Sequence, residues 1–193
     1  MKKKERSVNI PTIEEVENEQ KRLRHRAVYQ RTLRGTIAVL LVVAAISVLV
    51  ATLWMPVLQI YGSSMSPTLE AGQIVVSVKT NQLKTGEVVA FWQGNKLLIK
   101  RVIAGPGQWV DIDANGTVTV DGQILDEPYL REASPGNCDI ELPHQVAESH
   151  WFFMGDNRAT SVDSRTASIG DVSEDQIEGQ IVFRIWPLNV AGS

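Results

Sequence analysis

The chain has 193 residues, a net charge of −3 and a single cysteine, Cys138. This length suffices for one domain with a buried core. A single cysteine excludes a disulfide framework and a zinc–cysteine site, and three scattered histidines argue against a histidine metal site. Residues 1–35 carry ten lysines and arginines against five acids, whereas the other 158 carry nine against seventeen. A nucleic-acid-binding protein would not confine its positive charge to one short leader, so we expect no nucleic-acid partner.

The first element that the sequence predicts is a transmembrane helix. No charged residue lies between Arg34 and Glu70, and nearly every residue from Ile37 to Leu58 is apolar. About 20 apolar residues in a helix cross the hydrocarbon core of a bilayer. A cleavable signal peptide has a shorter apolar core and an Ala-x-Ala-like site after it, which this segment lacks. We therefore predict an uncleaved membrane-spanning helix over 36–58.

The charge on either side of this helix predicts its orientation. Residues 21–34, KRLRHRAVYQRTLR, place many basic side chains next to the span, whereas 59–69 contain none. Basic flanks stay in the cytoplasm, so residues 1–35 form a cytoplasmic basic leader and 59–193 lie outside the membrane. Thr12 and Glu15 have the spacing of a capping box, which predicts that the leader is helical.

The outer part is predicted to be mostly β. Short runs of β-branched residues alternate with turn residues, and helix signal is weak. The pairs Asn115-Gly116 and Asp121-Gly122 are typical of tight turns, so 109–125 should form a hairpin meander. Residues 126–150, with three prolines and many polar residues, indicate an irregular insertion. The predicted strands are 73–78, 87–92, 97–104, 109–113, 117–120 and 180–185.

Three segments carry residues with possible chemistry. Residues 60–69, IYGSSMSPTL, follow the span directly, and a serine-rich joint of this kind could also be a plain linker. In 97–107, LLIKRVIAGPG, strand alternation places Lys100 on one face with Leu98 and Val102, where burial would lower its pKa toward that of a usable base. A lysine that reaches water from an edge strand is the alternative. Residues 155–165, GDNRATSVDSR, could form an ion-pair network or a solvated loop.

Taken together and in this order, these motifs resemble those of bacterial type I signal peptidases, of the single-span type found in Gram-positive bacteria. The resemblance covers roughly residues 58–188 and includes the position of the anchor. It implies a signal-peptidase-like antiparallel β-sheet domain and a membrane-bound serine endopeptidase. The implied activity is removal of signal peptides from secreted precursors at the outer face of the bacterial cell membrane, with no metal or other cofactor.

The resemblance also implies roles for individual residues. Ser64 matches the nucleophile, Lys100 the general base, and Ser161 the serine that orients the lysine amine. Such Ser–Lys pairs are a variant of the serine-protease triad. Gly62 occupies the position where some members have a serine hydroxyl that stabilises the oxyanion, so the Ser64 N–H would carry more of that task. Two supporting ion pairs are implied, Asp163 with Arg165 and Asp156 with Arg101.

The implied substrates are secretory preproteins with Ala-x-Ala-like cleavage sites, bound in extended form along a strand edge. Ser64 is six residues beyond Leu58, so chain length keeps it within about 20 Å of that helix end and at the membrane surface. Gln73, Glu87 and Gln108 depart from the family pattern, which has aspartate there, and put local turn hydrogen bonds in doubt. The apolar residues implied to line the substrate pockets are Ile60, Met65, Leu69, Leu98 and Ile99.

Several alternatives remain open at this point. Self-cleaving repressor-type proteases share the Ser–Lys pair, but they are soluble and lack an anchor. A Ser-His-Asp hydrolase would use His144 or His150, and a sortase would use Cys138, but neither local motif is present. A membrane-tethered β-domain that only binds peptides is a rival from a different class. Replacement of Ser64 or Lys100 would have favoured it, and both residues are present.

Overall fold

The structure, a computed structural model, describes residues 12–80 and 82–187. Helix α1 runs from Ile13 to Trp54 as one continuous element. The predicted capping box is formed, because Thr12 N–H donates to Glu15 Oε2 (2.9 Å) and Glu15 N–H donates to Thr12 Oγ1 (3.4 Å). The apolar part is long and hydrophobic enough to cross a membrane, and none of it is buried.

The helix ends before the predicted boundary of the span. Pro56 lacks an N–H and disfavours helical backbone at the residue before it, so α1 stops at Trp54. Val57–Gln59 then form a strand instead of the last turn of the 36–58 helix. Residues 1–11 of the predicted leader lie outside the described residues. The division into leader, span and outer domain stays a prediction.

Among the described residues of the outer part, eleven strands form two sheets in which all pairings are antiparallel. The larger sheet has the order β1-β2-β11-β3-β4-β9-β10, and the smaller one has the order β7-β6-β5-β8. A 3₁₀ helix, Glu174–Gln176, precedes β11. The strands are β1 Val57–Gln59, β2 Ile74–Val78, β3 Val88–Gln93, β4 Lys96–Ala104, β5 Trp109–Ile112, β6 Val118–Val120, β7 Gln123–Ile124, β8 His144–Gln145, β9 His150–Met154, β10 Val172–Ser173 and β11 Ile177–Trp186.

All six predicted strands are present, and the predicted meander is confirmed as β5-β6-β7. Its turn at Asp121-Gly122 has positive φ at both residues (51° and 76°), as a tight hairpin turn requires. The strands that the sequence did not predict are β1, β8, β9 and β10, whereas β7 is the third strand of the predicted meander. Strand β8 lies inside the segment 126–150, and β9 contains the WFFM run.

Three buried apolar clusters hold these strands together. One lies between β4, β9 and the small sheet, and another is built on the stacked rings of Phe91 and Phe153 (4.7 Å between centroids). The third lies under the turn that follows β1 and contains Ile60, Met65, Leu69 and Val75. Because this third cluster anchors the segment around Ser64 to β2, it fixes the turn without a helix or strand of its own.

Candidate active site

Ser64 and Lys100 are brought together from distant parts of the chain. Ser64 lies in the turn after β1, whose apolar residues Met65 and Leu69 are 2% and 6% exposed. Lys100 is in the middle of β4, opposite Val89 of β3. Lys100 Nζ is 2.7 Å from Ser64 Oγ, within hydrogen-bond distance. A nucleophile and a base in direct contact are the minimum that serine-based acyl transfer needs.

The surroundings of Lys100 favour its neutral form. The side chain is buried, with 3% of the residue exposed. Burial is the largest cause of a lowered pKa for Lys100, because the ammonium loses its hydration. Among the neighbouring charges, Asp163 and Asp156 raise this pKa while Arg165 lowers it. The net direction is downward, so the amine is more readily deprotonated than a lysine in water.

The loop 155–165 holds the backbone of the Ser64 turn. Asn157 N–H donates to Ser64 O (3.0 Å), and the Asn157 side-chain amide donates to Ser63 O (3.4 Å). Gly155 makes this approach possible: a Cβ at this position would lie 2.5 Å from Ser64 O and 2.2 Å from Ser161 Oγ. Only glycine leaves room for both neighbours.

Ser161 is buried beside the turn, but its predicted hydrogen bond to Lys100 is not formed. The residue is 2% exposed, and its Oγ has no hydrogen-bond partner among the described residues. Its backbone N–H donates to Asn157 O (3.0 Å), which fixes the main chain. A buried hydroxyl without a hydrogen-bond partner destabilises the fold, so we expect the Ser161 hydroxyl to form a hydrogen bond when a neighbouring polar group comes within reach.

The two predicted ion pairs are both present and both buried. Asp163 and Arg165 are 0% exposed and bonded through two contacts of 2.8 Å, and Asp163 Oδ2 also accepts from Gly155 N–H (2.9 Å). Arg101 Nε donates to Asp156 Oδ1 (2.8 Å), and Arg101 Nη2 donates to Asp156 Oδ2. The loop 155–165 is therefore a buried network of charge-assisted hydrogen bonds and not a solvated surface loop.

Sequence reasoning missed the residues that complete this network. The ring of Tyr129 lies 3.8 Å from the guanidinium carbon of Arg101, and Tyr129 OH donates to Glu127 (2.8 Å). Burial is the main cause of a raised pKa for the Tyr129 hydroxyl. Glu127 in turn accepts two hydrogen bonds from the buried Arg158. Tyr129 and Glu127 both come from the segment 126–150, which the sequence predicted to be irregular and in which no periodicity marks a residue as buried.

A cleft of about 360 Å³ adjoins Ser64 and Lys100. Four of the five predicted pocket residues line it, namely Ile60, Met65, Leu98 and Ile99. Leu69 lies instead in the buried apolar cluster under the Ser64 turn.

Two strand edges flank this cleft. Strand β1 is the outer strand of the large sheet, and β4 pairs with β9 only from Arg101 onward. Residues 96–100 of β4 therefore have no strand neighbour on that side within the described part of the chain. An extended peptide has free backbone groups to pair with there.

The departures at Gln108 and Glu87 preserve turn hydrogen bonds. Gln108 Oε1 accepts from Gly105 N–H (2.8 Å), and Glu87 Oε2 accepts from Lys84 N–H (3.0 Å). Gln73 differs, since its buried Oε1 has no partner among the described residues. The doubt about turn geometry therefore applies only to Gln73.

The residues of the alternative mechanisms are engaged elsewhere or lack a contact with Ser64. His144 Nε2 is 2.8 Å from Asp171 Oδ1, and His150 Nδ1 is 2.7 Å from Glu148 O. Cys138 is half-buried and forms no disulfide. Over residues 12–80 and 82–187, no group of three or more histidine, cysteine or acidic side chains is placed to hold a metal ion.

Comparison with known proteins gives consistent matches. The profile of the family described as "Signal peptidase, peptidase S26" matches residues 33–186. Signal peptidase IB of Staphylococcus aureus (strain COL) is 37% identical, covering 67% of this chain and 77% of that protein. Signal peptidase I T of Bacillus subtilis (strain 168) is 35% identical, covering 66% and 72%. A crystal structure of a signal peptidase I from Enterococcus faecalis V583 aligns with a TM-score of 0.46 and 24% identity, covering 54% of this chain and all of that one.

Proposed function

Because the chain belongs to the signal peptidase family, peptidase S26, we propose that Ser64 is the nucleophile and Lys100 the general base of its peptidase reaction. The protein is a membrane-anchored serine peptidase that removes signal peptides from secreted precursors. The observation that carries the proposal is the 2.7 Å contact between Lys100 Nζ and Ser64 Oγ.

In the proposed reaction, neutral Lys100 accepts the Ser64 hydroxyl proton as Oγ bonds to the scissile carbonyl carbon. The C–N bond then breaks, and Lys100 returns the proton to the leaving amine, so that the signal peptide remains as an ester on Ser64. Water, deprotonated in turn by Lys100, attacks the ester carbonyl; the bond to Ser64 Oγ breaks, Lys100 returns the proton to this oxygen, and the signal peptide leaves as a carboxylic acid. The buried environment of Lys100 supports this role, since an ammonium cannot accept a proton.

The oxyanion of the tetrahedral intermediate needs hydrogen-bond donors. Ser64 N–H donates no hydrogen bond to a backbone or side-chain acceptor among the described residues. Gly62, with φ of +83°, supplies no hydroxyl. We assign the Ser64 N–H as a donor to the oxyanion, a contribution worth about 3 kcal/mol in the transition state. We assign Ser161 as the group that orients the Lys100 amine, because its buried hydroxyl has no other hydrogen-bond partner among the described residues.

We assign the cleft between the edge of β1 and the free edge of β4 to the substrate residues before the scissile bond. A peptide bound there in extended form directs alternate side chains into the cleft. The cleft walls formed by Ile60, Met65 and Ile99 would lie close to the backbone of such a peptide and would accept only small substrate side chains. This supports preproteins with Ala-x-Ala-like sites as substrates.

The anchor is the apolar part of α1. We propose a single pass through a bacterial cell membrane, with the N-terminus in the cytoplasm and the peptidase domain outside. The concentration of basic residues in 21–34 supports this orientation, because such flanks are retained on the cytoplasmic side.

The test is cleavage of an Ala-x-Ala precursor by the detergent-solubilised full chain. Ser64→Ala should abolish cleavage, while Ser63→Ala, which removes an adjacent exposed hydroxyl, should retain it. Intact cleavage by Ser64→Ala would refute the assigned nucleophile. Absence of cleavage by folded wild type would favour a tethered domain that only binds peptides.

A further inference from the structure

A second cavity adjoins the loop that carries Ser64. It has a volume of about 200 Å³, and Ser66 forms part of its wall. Ser66 is two residues from Ser64, so their Cα atoms are at most about 7.6 Å apart. Asn157 also lines the cavity, and this residue holds Ser64 O and Ser63 O through hydrogen bonds. The cavity therefore lies directly beside the nucleophile turn.

This cavity and the substrate cleft meet the Ser64 turn at different places. The cleft is lined by Gly62, Ser64 and Met65 of this turn, whereas the cavity is lined by Ser66. The two share no lining residue. A peptide that fills the cleft up to Ser64 must continue past the nucleophile, and the cavity lies next along the turn.

Seven of the eight residues that line the cavity are polar or charged, whereas most residues that line the cleft are apolar. Its two buried charges are neutralised, since Asp156 is paired with Arg101 and Arg158 with Glu127. Three residues of the wall are exposed, namely Arg131, Glu132 and Ala159, and neither of the two charged ones forms an ion pair with a described residue. Ser134 adds a hydroxyl.

An apolar side chain in this cavity would remove water from two free charges and offer no hydrogen bond in return. A polar side chain would replace the lost water. The two sites beside Ser64 therefore favour different substrate side chains: the cleft favours small apolar ones, and the cavity favours polar ones.

We propose that this cavity binds the first residues of the mature protein, those that follow the scissile bond, and selects polar side chains among them. The inference rests on the proposed function, because it takes Ser64 as the point of cleavage. An extended peptide advances about 3.3 Å per residue, so the first, second or third residue after the bond reaches the cavity.

The experiment compares kcat/KM of the full chain in detergent on precursors that carry the same Ala-x-Ala site. The precursors differ by asparagine or leucine at the first, second or third residue after the bond. We expect wild type to prefer asparagine roughly fivefold or more at one of these positions. Arg131→Leu combined with Glu132→Leu should abolish or reverse that preference.

Lys79→Leu combined with Glu174→Leu is the matched control. It makes the same change of charge in a different cavity, which shares no lining residue with the first, and should keep the preference. Equal kcat/KM for asparagine and leucine at all three positions in wild type would overturn the inference, as would an unchanged preference in the folded Arg131/Glu132 double variant. Failure of the proposed function is distinct, since it appears as cleavage by Ser64→Ala.

Discussion

The most informative perturbation of the scaffold is the addition of one methyl group at Gly155. The alanine Cβ would lie 2.5 Å from Ser64 O and 2.2 Å from Ser161 Oγ, whereas ordinary contact begins at 3.4 Å. Ser161 is confined by its own burial, and Ser64 O is backbone. The methyl group must therefore displace the nucleophile turn or the 155–165 loop by roughly 1 Å.

A displacement of this size has a predictable effect on each parameter. A misplacement of about 1 Å between reacting groups costs roughly 100-fold in rate, so kcat of Gly155→Ala should fall by about that factor. KM should change less than kcat, because the displacement reaches the Ser64 turn at one end of the cleft and not the β1 and β4 walls that hold the peptide. Overpacking of a buried site should also lower the free energy of unfolding by about 1–3 kcal/mol.

The assay is steady-state cleavage of an Ala-x-Ala precursor together with thermal unfolding. Gly94→Ala is the control for an added methyl group without a steric clash, since nothing lies within 4 Å of its Cβ position; unlike Gly155, Gly94 has a positive φ (57°). This variant should lose some stability through backbone strain and keep its kcat. A Gly155→Ala protein with kcat within twofold of wild type would refute the steric reasoning.

Three further predictions concern the protonation of Lys100, the Asp163 charge beside it and the contact of Tyr129 with Arg101. Cleavage should decline as pH falls through the lowered pKa of Lys100, since protonation removes the base; a kcat/KM profile that is flat from neutral to acidic pH would contradict this. Asp163→Asn removes a charge that raises the pKa of Lys100, so the acidic limb of the pH–rate profile should move to lower pH. The same change leaves Arg165 unpaired, so the free energy of unfolding, measured with denaturant, should fall by about 3–5 kcal/mol. Tyr129→Phe keeps the ring on Arg101, and its free energy of unfolding should fall by about 1 kcal/mol through loss of the hydrogen bond to Glu127. The free energy of unfolding of Tyr129→Ala should fall further, because the ring is lost as well. Equal shifts of the two variants in thermal unfolding would mean that the ring contact contributes nothing.

Much of the sheet was predictable because local patterns specify it. Alternating β-branched runs predicted β2, β3, β4, β5, β6 and β11, and the turn pair Asp121-Gly122 predicted the meander. Strand β9 was missed because its WFFM run has no alternation: all but Trp151 are fully buried. Strands β1 and β8 have three and two residues, too few to show a period.

The reactive pair was predictable from motifs, and its geometry was not. Ser64 and Lys100 were identified through their neighbours in sequence. Their contact depends on the successive pairings β1–β2, β2–β11, β11–β3 and β3–β4, which no local pattern encodes. The partners of the buried arginines were even harder to predict from the sequence. Glu127 and Tyr129 come from a segment that has proline and polar composition, and only the folded chain brings them onto Arg158 and Arg101.

The central claim is that neutral Lys100 is the base for Ser64, and its most direct test is precursor cleavage by Lys100→Ala. Lys96→Ala is the control, because Lys96 is exposed on the same strand four residues earlier. We predict that Lys100→Ala remains folded and loses cleavage by at least about 100-fold, while Lys96→Ala cleaves like wild type. Cleavage by Lys100→Ala at the wild-type rate would contradict the account and direct the search for the base to His144 and His150.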